Sequence, residues 1–145
     1  MRVLLAALLL LQPAFAHAGG ARFYFSGDGV LEMDHAHLGE TLAVRYRDAD
    51  GRYDPAALAR IEHFFRSRSD GERGPVSLRL IELLDFVADR SGAARPTLVS
   101  AYRSPELNRD LRDGGRRVAQ ASLHTEGLAA DVAFAGADLR RLWLD

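Results

Sequence analysis

Cysteine is absent from this chain of 145 residues. A disulfide framework and a thiolate metal site are therefore excluded, and any metal must be bound by histidine, aspartate or glutamate. An excess of charge of one sign is also lacking, because 19 basic and 20 acidic side chains give a formal net charge of -1. Neither a basic surface for nucleic acid nor an acidic interaction tail is indicated. Hydrophobic residues make up 48% of the chain, which is ordinary for one globular domain.

A hydrophobic run long enough to cross a bilayer is missing from the N-terminus. The apolar stretch at residues 3–11 is shorter than the roughly 20 residues that a membrane-spanning helix needs. Arg2 supplies a positive start, Pro13 interrupts the stretch, and small residues suited to cleavage follow. These features predict a secretory signal peptide over residues 1–18, a mature domain over residues 19–145 and no stable membrane span after cleavage. An uncleaved membrane anchor is the alternative.

Capping residues and hydrophobic periodicity predict strands and helices in an irregular order. Helices are expected to begin at Asp54-Pro55, Ser77 and Ser104-Pro105, and the second and third end at Gly92 and Gly114-Gly115. Strands are expected at residues 21–25, 41–46, 96–101 and 128–134, with a hairpin around Gly39-Glu40. Without regular βαβ spacing, this order predicts an α+β fold with a small, mainly antiparallel sheet and flanking helices.

The apolar pattern at residues 136–144 is typical of a helix that the chain does not finish. It places the single tryptophan, Trp143, on that helix. We therefore expect a single domain that is truncated at its C-terminus. A complete C-terminal helix that docks on the domain is the alternative.

The residue types that carry chemistry lie between Ser122 and Asp131. His124 precedes Gly127 in a predicted loop, and Asp131 follows in a predicted strand. The small side chains of Ala129 and Ala133 share the strand face of Asp131, which leaves room above it for a metal and a substrate. Zinc takes about four ligands, of which water supplies one in a catalytic site. The spacing allows a zinc pair, but also a surface histidine and an edge aspartate that pairs with an arginine.

The residue pattern around this pair resembles a known family. The run Ser-x-His-x-x-Gly-x-Ala-x-Asp at residues 122–131 follows Ser-Ala-Tyr-Arg-Ser-Pro at residues 100–105 and Asn108. Together these motifs resemble the D-alanyl-D-alanine zinc metallopeptidases, and among them the YcbK-like murein endopeptidases, also called murein endopeptidase K. The resemblance covers roughly residues 37–145. It implies a hedgehog/DD-peptidase-like fold and a periplasmic, Zn²⁺-dependent peptidase that acts on peptidoglycan stem peptides.

The resemblance also implies roles for individual residues. His124 and Asp131 correspond to the first and second zinc ligands. Arg103 corresponds to a catalytic and substrate-binding arginine that would steady the substrate carbonyl or the developing oxyanion; a structural ion pair is the alternative. Ser122 corresponds to a substrate-binding serine at the rim, or to one that shapes the loop. Asn108 is expected to pack or to cap.

A histidine after Asp131 is missing, although the family's third zinc ligand and catalytic base lie downstream of that position. No third ligand and no base are therefore assigned, and an inactive peptidoglycan-binding module or a truncated gene product is the alternative function. His35 and His37 form a His-x-His pair, which on a strand could bind a metal and would indicate a periplasmic metal-binding protein instead. Glu126 is a possible base, but a solvated loop carboxylate is the preferred interpretation.

Overall fold

A computed structural model describes residues 25–92, 95–116 and 118–137 of the chain. The predicted signal peptide, most of the strand predicted at residues 21–25 and most of the helix predicted at residues 136–144 lie outside the described residues. The described elements are β1 (Val30–His35), β2 (Thr41–Arg45), α1 (Pro55–Phe64), α2 (Leu78–Ser91), β3 (Thr97–Ser100), α3 (Pro105–Asp113) and β4 (Asp131–Ala133). None of these helices has the length and apolar character that crossing a membrane would require.

The strands form one sheet in the order β2-β1-β3-β4. The pairs β1–β2 and β3–β4 are antiparallel, whereas β1 and β3 are parallel. The parallel pair is possible because β2, α1 and α2 intervene between β1 and β3 and carry the chain back across the sheet. The predicted α+β class with a mainly antiparallel sheet is confirmed.

The turn of the hairpin lies where it was predicted, but the first strand of the hairpin was predicted wrongly. The partner of β2 is β1, whose Leu31, Met33 and His35 are buried while the intervening residues are more exposed. The alternation in β1 is weak in the sequence because a histidine takes an inward position and acidic residues stand between the apolar ones. In the structure the burial has the period of two that a half-buried strand requires.

Local capping chemistry explains where the helices begin and end. The Asp54 carboxylate accepts a hydrogen bond from the Ala56 amide at 2.8 Å at the start of α1. The Ser104 hydroxyl accepts one from the Leu107 amide at 3.1 Å at the start of α3. Ser77 precedes α2 as predicted, but its side chain makes no cap hydrogen bond. Gly92 ends α2 in the left-handed region, at φ +64°, where glycine is favoured.

The core lies between one face of the sheet and the helices α1 and α2. Apolar side chains from β1, β2 and β3 pack there against those from the two helices. The buried members of this core are Leu31, Met33, Leu42, Val44, Tyr46, Ala57, Ile61, Phe64, Phe65, Ile81, Leu84, Leu98 and Ala101. Ala130 and Val132, on either side of Asp131, pack against this core, so the side chain of Asp131 is directed away from it.

Candidate metal centre

Hydrogen bonds within the loop that carries His124 stabilise its turn. The carbonyl of Ser122 accepts hydrogen bonds from the Thr125 hydroxyl at 2.6 Å and from the Thr125 amide at 2.9 Å. The Ser122 hydroxyl accepts one from the His124 amide at 3.3 Å. Ser122 is buried. These bonds favour the loop-shaping interpretation of Ser122 over direct contact with a substrate.

Gly127 anchors this loop to the segment before α2. Its φ is +67°, and a Cβ at this position would lie 1.8 Å from the carbonyl oxygen of Pro75. The Gly127 carbonyl accepts a hydrogen bond from the Ser77 amide at 2.9 Å. A side chain cannot be accommodated here without moving the backbone, so this glycine keeps the histidine loop close to the body of the domain.

The ring of His124 is oriented by a backbone carbonyl. Its Nδ1 lies 2.8 Å from the carbonyl oxygen of Ala101. Because a carbonyl only accepts, Nδ1 carries a proton, which in the neutral ring leaves the lone pair on Nε2, as in many histidines that bind metals. Nε2 lies 3.7 Å from the Oδ2 atom of Asp131.

The His124–Asp131 distance fits a shared zinc ion. Two ligands that each lie about 2.1 Å from the metal in a tetrahedron are separated by about 3.4 Å, close to the observed 3.7 Å. The Asp131 side chain is 61% exposed, so solvent or a substrate can reach it. Among the described residues, no third histidine or carboxylate joins this pair. The described donors therefore fit zinc in type and spacing and would supply two of its ligands.

Asp131 lies at the start of β4 instead of in the middle of a strand. It pairs with Ser100, whereas Val132 pairs with Leu98, so the ladder contains an irregularity at Val99. Such bulges redirect side chains and are common beside functional sites. The strand predicted over residues 128–134 is thus only three residues long, and Asp131 is exposed at its start.

Arg103 is tied to the histidine loop through its backbone and to Asn108 through its side chain. Its amide donates to the carbonyl of His124 at 3.1 Å. Its Nη1 donates to the Oδ1 atom of Asn108 at 3.4 Å, and the buried Asn108 also donates from Nδ2 to the carbonyl of Ala119 at 3.2 Å. Within the described chain Arg103 has no carboxylate partner, so the alternative of a structural ion pair finds no support.

A cleft of about 240 Å³ opens beside this pair. Asp131 and Arg103 line it together with Arg68 and Arg116. Its apolar wall consists of Val99, Leu107, Leu111 and Val118. Sequence reasoning missed Arg68 and Arg116 because both are loop arginines that no local pattern distinguishes from solvated surface residues.

The His-x-His pair is arranged differently from the strand geometry that a metal site would need. His35 ends β1 and is buried, whereas His37 lies in the following turn and is exposed. The His35 Nδ1 accepts a hydrogen bond from the His37 amide at 3.2 Å. The His37 Nε2 lies 3.0 Å from Nη1 of Arg68 and accepts from it, since a guanidinium only donates. One nitrogen of each ring is thus engaged, which gives the alternative metal site no support. Glu126 is exposed on the histidine loop, as the solvated interpretation predicts.

A second cavity and a group of carboxylates are further candidate sites. A larger cavity, about 590 Å³, lies between β2 and α1 and has neither member of the His124–Asp131 pair in its wall. Within the described residues, the one group of three carboxylates near each other is Asp28, Asp85 and Asp89. The amides of Asp28 and Gly29 donate to Asp89 and Asp85 at 2.9 Å each, so two of these carboxylates hold the chain segment before β1 in place.

Comparison with known proteins gives the family. A family model described as peptidoglycan L,D-endopeptidase MepK matches residues 26–143. The chain belongs to this family. The peptidoglycan L,D-endopeptidases MepK of Escherichia coli K12 and of Shigella flexneri are each 32% identical to it over 141 residues, which is 97% of this chain and 74% of the relative. No solved structure gives a significant match. The resemblance read from the motifs is confirmed at the level of the family, and the match includes the histidine loop and the cleft.

Proposed function

We propose that this chain is a zinc-dependent peptidoglycan peptidase that acts in the periplasm. The observation that carries the proposal is the pairing of His124 Nε2 with Asp131 Oδ2 at 3.7 Å, with Nδ1 held by a backbone carbonyl. Asp131 of this pair lines a cleft, and both residues lie inside the segment that matches a family of peptidoglycan endopeptidases. The predicted signal peptide at residues 1–18 supports export to the compartment where the wall lies.

Each residue of the site has a role in this proposal. His124 and Asp131 would hold a zinc ion, which would supply Lewis acidity to the peptide carbonyl and to water. Arg103 lines the cleft, where its guanidinium would stabilise negative charge that develops on the carbonyl oxygen. Asn108 keeps that guanidinium in position, and Ser122 keeps the histidine loop in its turn.

The substrate follows from the family and the cleft together. The curated relatives are named peptidoglycan L,D-endopeptidases, so the proposed substrate is a peptide of the wall. The cleft has an apolar wall beside charged groups, which suits an extended peptide with aliphatic and charged parts. Nucleic acid is not a proposed partner, because the chain has no excess of positive charge overall.

The test measures zinc and cleavage on the same protein samples. We expect His124→Ala and Asp131→Ala to lose bound zinc in elemental analysis, and to release no fragments from purified peptidoglycan. His63→Ala is the matched control, since His63 is an exposed histidine on α1. It should retain both properties.

Two results would contradict the proposal. Cleavage by Asp131→Ala at the wild-type rate would show that the Asp131 carboxylate is not a required metal ligand. Binding of the wild-type chain to peptidoglycan without any cleavage would favour the inactive binding module instead.

A further inference from the structure

Three arginines from separate parts of the chain meet in the cleft beside Asp131. Arg68 comes from the loop between α1 and α2, Arg103 from the loop between β3 and α3, and Arg116 from the segment after α3. Only Arg103 has a role in the proposed reaction. Arg68 and Arg116 therefore need a separate explanation.

The cleft carries more positive than negative charge. Three guanidinium groups line it and Asp131 is the one carboxylate in its wall. In the described part of the chain, no carboxylate oxygen lies within 4.0 Å of any of these three arginines. Cations that line one cleft without an anion repel one another. The planar guanidinium group also matches the geometry of a carboxylate.

Arg68 is also held in place by a neutral neighbour. Its Nη1 donates to the Nε2 atom of His37 at 3.0 Å, and an imidazole that accepts at Nε2 carries no positive charge there. His37 restricts the movement of Arg68 without compensating its charge. A restrained cation loses less side-chain entropy when a ligand binds.

On the basis of the proposed peptidase function, we propose that Arg68 and Arg116 form a carboxylate-binding subsite. The subsite selects wall peptides that carry a free carboxylate close to the scissile bond. The aliphatic part of the residue that bears this carboxylate packs on the apolar wall formed by Leu107, Leu111 and Val118. Arg103 remains available for the carbonyl that is cleaved.

The test compares two synthetic stem peptides that differ in one group. One carries a free carboxylate next to the scissile bond, and the other carries the carboxamide at the same position. Binding of each fluorescently labelled peptide to the whole chain is titrated by anisotropy. We expect the wild type to bind the carboxylate about tenfold more tightly, as one charge-assisted, bidentate contact implies.

The double variant Arg68→Gln/Arg116→Gln should bind both peptides equally. Arg109→Gln is the matched control: it removes a guanidinium from the exposed face of α3, where Arg109 pairs with Glu106, and should leave the preference unchanged. Arg116→Gln alone replaces an exposed side chain and should reduce the preference while leaving the fold intact, as thermal unfolding would verify.

The outcomes separate the subsite from the peptidase function. A wild type without preference, or a double variant that keeps it, would overturn the subsite even if both peptides are hydrolysed. A clear preference that the double variant loses, with no hydrolysis by the wild type, would support the subsite as a ligand site and count against the peptidase.

Discussion

Charged side chains are paired with opposite charges in one region of this small domain, whereas in another they lack such a partner among the described residues. Behind β2, Arg47 is buried and its Nε donates to the Oε1 atom of Glu82 at 2.7 Å, while the Tyr53 hydroxyl donates to the same oxygen at 2.9 Å. Beside β4, Arg68 and Arg116 line an open cleft without a carboxylate partner among the described residues. The buried ion pair holds secondary-structure elements together. The arginines of the cleft have no such partner and are available to a ligand.

Asp85, on the same helix as Glu82, is also buried. Its Oδ2 atom accepts from the Tyr46 hydroxyl at 2.7 Å and from the Gly29 amide at 2.9 Å. Burial raises the pKa of Asp85 to about 6 in spite of these bonds. Gly27 lies against this carboxylate so closely that a Cβ there would be 2.2 Å from the Oδ1 atom. Glu82 and Asp85 thus fasten α2 to the segments around β1 and β2.

The largest effect is expected where one member of the buried pair is removed. Glu82→Ala leaves the Arg47 guanidinium buried without its partner, which should lower the free energy of unfolding by about 3–5 kcal/mol. Urea denaturation followed by circular dichroism measures this. The matched control, Glu106→Ala, breaks an exposed pair on α3 and should cost about 0.5 kcal/mol or less. Equal losses for the two variants would show that burial does not distinguish the pairs.

A smaller effect is expected from the titration of Asp85. The folded pKa of about 6 lies above the ordinary 3.8, so the folded state retains a proton that the unfolded chain releases. The free energy of unfolding should therefore fall as the pH rises from about 4 to 6, by up to about 3 kcal/mol.

The variant Asp85→Asn isolates this titration, because the side chain of asparagine does not ionise. Denaturation of both proteins across the pH range should show the wild type losing stability relative to the variant as the pH increases. Parallel curves would mean that Asp85 titrates in the folded protein as it does in the unfolded chain.

The smallest effect concerns salt and tests whether the cleft is open. Raising the ionic strength should weaken binding of the carboxylate peptide several-fold, because exposed charges are screened within about 10 Å at 0.1 M salt. The same change should leave the cost of Glu82→Ala nearly constant, since its pair is buried. Salt-independent peptide binding would indicate that the peptide is held by apolar contacts alone.

Much of this protein follows from short stretches of sequence. Asp54, Ser104 and Gly92 mark helix ends because a cap depends on the few residues next to it. The motif around His124 and Asp131 identified the family, and the turn at Gly127 could be inferred because only glycine suits such a backbone. These features depend on interactions within a few residues, so they can be read without the fold.

Other features were decided by contacts between distant segments. Three features join residues 20 or more positions apart: the pairing of β1 with β3, the carbonyl of Ala101 that orients His124, and the cleft that Arg68 and Arg116 both line. The bulge that leaves Asp131 exposed at the start of β4 depends on the register with β3. Local propensity carries no information about such partners, because they are selected by the packing of the whole chain.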